Sequence, residues 1–335
     1  GSQFNAEFNN WFAYICDGAT VGASCNPTPK SGSATTGSPF VVNHRPVFTL
    51  FIDDSPKNPG QVITWYSTSS DPDTYVGTAT DTVKLFVCRA NDFTGTACGG
   101  GGTWASSTQY KQLHADASTT LANPEPDGQF AAYGFIVDSH GNHSALVAGG
   151  SSQGTNSSVN VNNITPTIAS ASISLLDTDK VGKLTLTGVA TQTPGFSVRY
   201  TVSDQNSCQT ASTTNEITSG LINVYRSGIT QSGCDEADQY NGNNCYPYYV
   251  ATTTVDWDVN CVASSTSCLG ATDSDQIWDC SFSLQYFADA TDGDGSAPTH
   301  PPFFAQTWLA SAQAGDNNYA TTALVEATST GNEMK

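Results

Sequence analysis

The chain has 335 residues, and 11 Lys and Arg stand against 30 Asp and Glu, for a net charge of −19. A chain this acidic cannot neutralise a row of phosphates, so its composition excludes a nucleic-acid partner and a basic amphipathic membrane anchor. It contains no apolar run long enough for a transmembrane helix, and its length suggests about two domains.

Residues 1–38 are predicted to form an extended leader. Its apolar run, residues 11–15, has the composition of a short strand, and residues 28–38 are rich in Pro, Gly, Ser and Thr, as flexible linkers are.

Short strands account for most of the chain after the leader, because helical periodicity is nowhere sustained for three turns. The predicted strands are rich in β-branched and aromatic residues and are bounded by Gly, Asn, Asp or Pro. They are residues 47–52, 62–66, 83–87, 130–137, 173–176, 184–189, 196–202, 222–225, 248–255, 282–287 and 307–312. Many short strands separated by turns, without intervening helices, predict antiparallel β-sandwiches.

A weak internal repeat divides these strands into two groups. Residues 133–147 and 308–324 both consist of an apolar strand, a polar turn with Gly and Asn, and a second strand, like the last hairpin of an immunoglobulin-like (Ig-like) domain. The predicted fold is therefore all-β, with two Ig-like antiparallel β-sandwich domains in tandem. They cover residues 39–161 and 162–328, the second with a Cys-rich insertion at 234–246, and a tail of residues 329–335 follows.

The ten cysteines are even in number and contain no C-x-x-C pair, which favours disulfides over a zinc site and implies an oxidising compartment. Three local pairs bracket Gly-, Asn- and Thr-rich stretches. The other four cysteines leave several pairings open. A cross-strand Cys261–Cys280 bridge is plausible, and Cys208–Cys268 would then remain. The three local pairs are Cys16–Cys25, Cys88–Cys98 and Cys234–Cys245.

Several segments carry a family resemblance. They are residues 81–98 with the Gly-Thr-Trp-Ala at 102–105, residues 174–179, 224–228 with Cys234, 244–247, and 288–293. Together they resemble tandem Ig-like segments of large, uncharacterised cell-surface proteins from candidate-phylum bacteria with small genomes. The resemblance implies an exported protein at the cell surface, and it implies no catalytic activity.

No catalytic motif stands in its required structural context, so the protein is predicted not to be an enzyme. Residues 150–154 fit G-x-S-x-G, but no helix is predicted to follow, as a nucleophile elbow requires.

Calcium is the one cofactor that the sequence favours, because closely spaced carboxylates beside turns are what a hard cation needs. The leading candidates are Asp289, Asp292 and Asp294, followed by Asp177 and Asp179. The pair Asp71 and Asp73 is a third candidate. The competing explanation is that Asp simply favours turns.

Two kinds of partner are predicted. In the first hypothesis the chain is an extracellular structural protein, part of a surface layer, stalk or filament, and it polymerises with itself. The leader of one copy adds a strand to a neighbouring copy through Trp11, Phe12, Tyr14 and Ile15. In the alternative it is an adhesin or carbohydrate-binding module that contacts surface glycans through Tyr246, Tyr248 and Trp278.

Overall fold

A computed structural model describes most of the chain. The described residues are 8–9, 12–17, 30–31, 40–41, 43–73, 81–144, 151–177, 184–186, 193–207, 216–248, 257, 259–264, 274–291, 302–328, 332 and 334. Over these residues the protein is all-β, every strand pair is antiparallel, and the only helical elements are three 3₁₀ turns, Ser170–Ser172, Gln231–Gly233 and Ala237–Gln239. The all-β prediction is confirmed, and no helix in this part of the chain is long and apolar enough to cross a membrane.

The chain divides into two compact units. The first comprises Gly1–Lys57, Gln61–Leu121 and Gly128–Val161, and the second comprises Asn58–Gly60, Ala122–Asp127 and Asn162–Lys335. Two short segments that precede residue 161 therefore belong to the second unit.

The first unit contains strands β1 to β13. Their bounds are β1 Phe8–Asn9, β2 Phe12–Ala13, β3 Lys30–Ser31, β4 Phe40–Val41, β5 Val47–Asp53, β6 Val62–Ser70, β7 Val83–Cys88, β8 Thr103–Ser106, β9 Ala117–Thr120, β10 Gly128–Phe130, β11 Tyr133–Asp138, β12 Thr155–Asn156 and β13 Val159–Val161. The two main sheets have the orders β5-β6-β9 and β12-β11-β7-β8, while β1 pairs with β4, β2 with β3, and β10 with β13.

The first core lies between those two main sheets. Along β6, Ile63 and Trp65 are fully buried, whereas Val62 and Tyr66 on the opposite face are 53% and 44% exposed. This alternation is the period of two that places successive side chains on opposite faces of a strand.

The second unit contains strands β14 to β22. Their bounds are β14 Thr167–Ile168, β15 Ser174–Leu176, β16 Thr193–Ser203, β17 Ile217–Arg226, β18 Cys245–Tyr246, β19 Asn260–Ala263, β20 Asp275–Leu284, β21 Trp308–Asp316 and β22 Val325–Glu326. One sheet has the order β14-β16-β20-β19, with β15 also paired to β16, and the other has the order β18-β17-β21-β22. Tyr200, Val224 and Trp308, all fully buried, belong to the core of this unit.

Three disulfides lie in the described residues: Cys88–Cys98, Cys234–Cys245 and Cys261–Cys280. The last joins β19 to β20 across the sheet, where the two cysteines are direct partners in the register. Cys16 is also disulfide-bonded. Cys25, Cys208 and Cys268 lie outside the described residues.

Some predicted strands have different limits in the structure. Residues 130–137 are two strands, β10 and β11. The strand predicted at 282–287 instead ends at Leu284, because a turn follows in which the Ala288 amide donates to the Gln285 carbonyl at 3.0 Å. Residues 187–189 and 249–255, parts of two further predicted strands, lie outside the described residues.

Candidate metal centre

Three buried carboxylates meet in the first unit. One side-chain oxygen from each of Asp71, Asp81 and Asp138 lies within 4.8 Å of the other two, and the residues are only 6%, 7% and 0% exposed. We call them the acidic triad. Among the described residues, no other set of three His, Cys, Asp or Glu ligands lies this close together. The sequence points to Asp71, with Asp73 beside it, but not to Asp81 or Asp138.

The ends of three strands bring the acidic triad together. Asp71 directly follows β6, Asp81 lies two residues before β7, and Asp138 is the last residue of β11. Because β7 and β11 are antiparallel neighbours in which Asp138 pairs with Val83, the end of β11 lies beside the start of β7.

Backbone amides fix one oxygen of each of these carboxylates, and at Asp81 the donor is the Thr82 amide, 2.7 Å from Oδ1. Asp71 Oδ1 accepts a hydrogen bond of 2.8 Å from the Asp73 amide. Asp138 Oδ1 accepts two, from the amides of His140 and Asn142, each at 2.8 Å. The carboxylates therefore cannot turn away from one another without losing these bonds.

The second oxygens of Asp71 and Asp138 accept no hydrogen bond from a donor, whereas both oxygens of Asp81 do. Asp71 Oδ2 and Asp138 Oδ2 are buried without a hydrogen-bond partner, and the Asn43 Oδ1 atom is buried and unpaired as well. Leaving a buried polar atom unsatisfied costs about 1–3 kcal/mol, and more for a charged group. A bound cation, or a proton on one of the carboxyl groups, would satisfy the two carboxylate oxygens.

Two histidines contact the outer side of the cluster. His140 Nδ1 lies 2.8 Å from Asp81 Oδ2, and the Ser139 hydroxyl donates to the other oxygen of Asp81. His44 contacts Asp73 through Nδ1, and its amide donates to the same carboxylate at 2.6 Å. Partners of this kind hold ligand carboxylates in place.

Burial and mutual repulsion disfavour the ionised acids. Desolvation by burial, followed by the charges of Asp81, Asp73 and Asp138, raises the pKa of Asp71 to about 7. Burial also raises the pKa of Asp138, although the amides of Asn142 and His140 and the nearby Asn43 side chain partly oppose it. Near neutral pH the cluster is therefore poised between holding protons and holding a cation.

The donor atoms are those that a hard cation prefers. The acidic triad supplies carboxylate oxygens, whereas zinc sites typically contain His or Cys ligands. The set suits Ca²⁺, which accepts six to eight oxygens in flexible geometry and can complete its shell with water.

The other predicted metal ligands are differently placed. Asp289 Oδ2 accepts a hydrogen bond of 3.0 Å from Arg226 Nε, so a guanidinium already neutralises this carboxylate. Asp177 Oδ2 accepts the Thr185 amide at 2.9 Å. Asp292, Asp294 and Asp179 lie outside the described residues, so calcium binding there stays a prediction.

The residues predicted to contact a partner fall into two groups. Tyr246 and Trp278 are 0% and 6% exposed and belong to the core of the second unit, so they are not presented to a partner. Tyr248 is half-buried, and its amide donates to Asn223 Oδ1 at 2.7 Å. In the leader, by contrast, Phe12, Tyr14 and Ile15 are 57%, 55% and 76% exposed. Trp11 lies outside the described residues.

Aromatic side chains beside a Cys-rich loop suggested a contact surface, but the loop itself explains the burial of Tyr246. The Cys234–Cys245 disulfide and the pairing of β18 with β17 draw the chain inward at this point. The Tyr246 hydroxyl then donates to the Gly242 carbonyl at 2.6 Å and accepts the Gln285 amide at 3.0 Å.

No protein-family model matches the chain, and no curated protein matches it. Its structure overlaps that of the titin domains Z1Z2 in complex with telethonin with a TM-score of 0.24 and 10% identity, over 88% of this chain and 100% of that one. For the Yersinia pseudotuberculosis adhesin InvE the TM-score is 0.30 and the identity 10%, over 84% of this chain and 58% of the adhesin. For dimeric latent PorU from Porphyromonas gingivalis the values are 0.20 and 10%, over 90% of this chain and 25% of that one. Overlaps this weak carry no argument about function, which therefore depends on the site.

Proposed function

We propose that this chain is a non-catalytic structural segment of an extracellular, surface-attached assembly, and that a calcium ion bound by the acidic triad holds its first unit rigid. The observation that carries the proposal is the set of buried carboxylates with unpaired oxygens, Asp71 and Asp138, beside Asp81.

Two features support a structural role for this site. Its carboxylates are almost fully buried, so they are poorly placed to reach a substrate. They also come from three strand ends in both main sheets, so one ion there links segments that are far apart in sequence. Disulfides in both units suit an oxidising extracellular setting, where sites with dissociation constants of about 0.1–1 mM are occupied by calcium.

Assembly with further copies of the chain is the second part of the proposal. Strand β5 lies at the edge of its sheet, and its side chains Val47, Leu50 and Ile52 are 45%, 44% and 46% exposed. An exposed edge strand accepts a further strand through its backbone. The exposed apolar residues of the leader make it the proposed donor. The alternative role as an adhesin relied on Tyr246 and Trp278, whose burial gives it no support.

Calcium should raise the melting temperature of the chelator-treated protein at pH 7.5. At about 100 times its dissociation constant, a ligand that binds only the native state adds about 2.7 kcal/mol, which for a unit of this size is about 5–10 °C. Differential scanning calorimetry measures the shift. Magnesium should give a smaller one, because it demands near-octahedral geometry and loses its water reluctantly.

The matched controls are two Asp→Asn variants. Asp81→Asn should lose the calcium-dependent shift. Asp54→Asn should keep it, because Asp54 lies away from the triad in a partly exposed salt bridge with Lys57. A melting temperature that calcium leaves unchanged in the wild-type protein would refute the proposal.

A further inference from the structure

The two units repeat one topology. Strands β5, β6 and β9 of the first unit correspond to β14, β16 and β20 of the second, because in both units the middle strand pairs with the other two. Likewise, β8-β7-β11-β12 has the same order of pairing as β18-β17-β21-β22. A residue at the end of one of these seven matched strands therefore has a counterpart in the other unit.

The counterparts of the acidic triad are also acidic. Asp204 directly follows β16, as Asp71 follows β6; Glu216 directly precedes β17; and Asp316 is the last residue of β21. We call these three the second-unit acids. Asn43 has a counterpart too, since Asn43 and Asn163 both lie three residues before a proline that precedes the first strand of the corresponding sheet.

The backbone hydrogen bonds of the acidic triad recur as well, although the second oxygens of Asp204 and Asp316 also have donors here, the Ser207 hydroxyl at 3.0 Å and Asn163 Nδ2 at 2.9 Å. The Asn206 amide donates to Asp204 Oδ1 at 2.9 Å, as the Asp73 amide does to Asp71. Asp316 Oδ1 accepts the amides of Asn318 and Ala320, each at 2.8 Å, in the same i+2 and i+4 pattern found at Asp138. Both loops thus fix one carboxylate oxygen in the same way.

An unpaired buried oxygen marks this location independently of the repeat. Glu216 is 5% exposed, and its Oε2 atom, like Asn163 Oδ1, is buried and accepts no hydrogen bond from a donor group. The Asp127 carboxyl group lies within hydrogen-bonding reach of the Glu216 carboxyl group. The Asn163 amide group lies in the cluster, because Nδ2 donates to Asp316 Oδ2 at 2.9 Å. Asp204 and Asp316 are 2% and 3% exposed.

A fourth carboxylate adds to the negative charge. Burial, followed by the charges of Asp127 and Asp204, raises the pKa of Glu216 to about 8. Burial also raises the pKa of Asp204, with the charges of Asp316 and Asp127 acting in the same direction. Asp127 belongs to the segment Ala122–Asp127 of the second unit.

We propose that the second unit binds its own divalent cation, of the calcium type, through Asp204, Glu216 and Asp316. The second-unit acids are more widely spaced than the acidic triad, which alone brings three ligand oxygens within 4.8 Å in the described residues. Glutamate at position 216 supplies a longer side chain than Asp81 and suits the wider site. This binding site does not depend on the structural role proposed above.

Isothermal titration of calcium chloride into the chelator-treated full chain tests this proposal. The wild-type protein should bind two equivalents. Glu216→Gln and Asp204→Asn should each bind one, Asp81→Asn should also bind one, and the double variant Asp81→Asn with Glu216→Gln should bind none. Asp238→Asn, at an exposed position of the second unit, is the control and should bind two.

The two sites fail separately in this experiment. A wild-type protein that binds one equivalent and loses it with Asp81→Asn, but not with Glu216→Gln, would overturn the second site alone. A wild-type protein that binds one equivalent of calcium, and loses this binding only with Glu216→Gln, would overturn the first site and support the second. Far-UV circular dichroism shows whether each variant is folded. If either Glu216→Gln or Asp204→Asn misfolds, the other variant tests the second cation site.

Discussion

Without divalent cations, the first unit should become less stable as the pH rises from 5 to 8, by on the order of 3 kcal/mol from Asp71 alone. In saturating calcium the stability should be nearly independent of pH over that range. Urea denaturation at pH 5, 6, 7 and 8, with chelator and with calcium, measures both curves.

The sign follows from the pKa of Asp71, which burial raises from 3.8 to about 7 in the folded protein. Between those two values the native state holds a proton that the unfolded chain has lost, so a rise in pH favours unfolding. The charges of Asp73, Asp81 and Asp138, which face Asp71, act in the same direction because they repel its ionised form. A bound cation keeps the carboxylates ionised in the native state and removes the difference.

The variant Asp71→Asn should flatten the curve measured in chelator and abolish the increment from calcium. Its amide can donate to the neighbouring carboxylates of Asp81 and Asp138, so at pH 8 the cation-free variant should be more stable than the wild type. A destabilised Asp71→Asn with an unchanged pH profile would show that Asp71 stays ionised without a cation, which contradicts this interpretation of the cluster.

Removal of residues 1–38 should abolish self-assembly and leave a folded monomer. The leader carries exposed Phe12, Tyr14 and Ile15. Its strand β2 pairs with β3 inside the leader, and its strand β1 pairs with β4, which follows the leader. A neighbouring copy offers β5 as an edge to which it can add. Sedimentation velocity in millimolar calcium should show large species for the full chain and a single monomer peak for the truncated one.

A triple variant separates the apolar contacts from chain length. Phe12→Ser, Tyr14→Ser and Ile15→Ser together keep the leader but remove its apolar side chains, and they should reduce assembly as deletion does. Unchanged polymerisation of the truncated chain would exclude strand addition by the leader.

Much of the fold follows from local patterns in the sequence. Residues 62–66 are β-branched or aromatic, as strand residues typically are, and they lie in β6, where Trp65 is fully buried. Cys88–Cys98 and Cys234–Cys245 close short loops that their spacing alone predicts. The prediction for residues 282–287 was wrong in its limits because Tyr286 and Phe287, 45% and 48% exposed, extended an apolar run beyond the end of β20.

The candidate metal centre could not be predicted in the same way, because its proposed ligands meet only in the folded chain. Asp81 and Asp138 each look like an ordinary turn residue, and they approach Asp71 because strands of two sheets end at one place. Close spacing in sequence favoured Asp289, whose carboxylate pairs with Arg226 instead. The one sequence feature that pointed to these acids was the repeated hairpin, which contains Asp138 in one copy and Asp316 in the other.

Anomalous diffraction from crystals grown in calcium tests the central claim most directly. A calcium ion should appear about 2.3–2.6 Å from Asp71 Oδ2 and Asp138 Oδ2, with Asp81 completing the protein ligands. A site without an anomalous peak, in which two of these carboxyl groups share a proton through a hydrogen bond of about 2.5–2.7 Å, would contradict it.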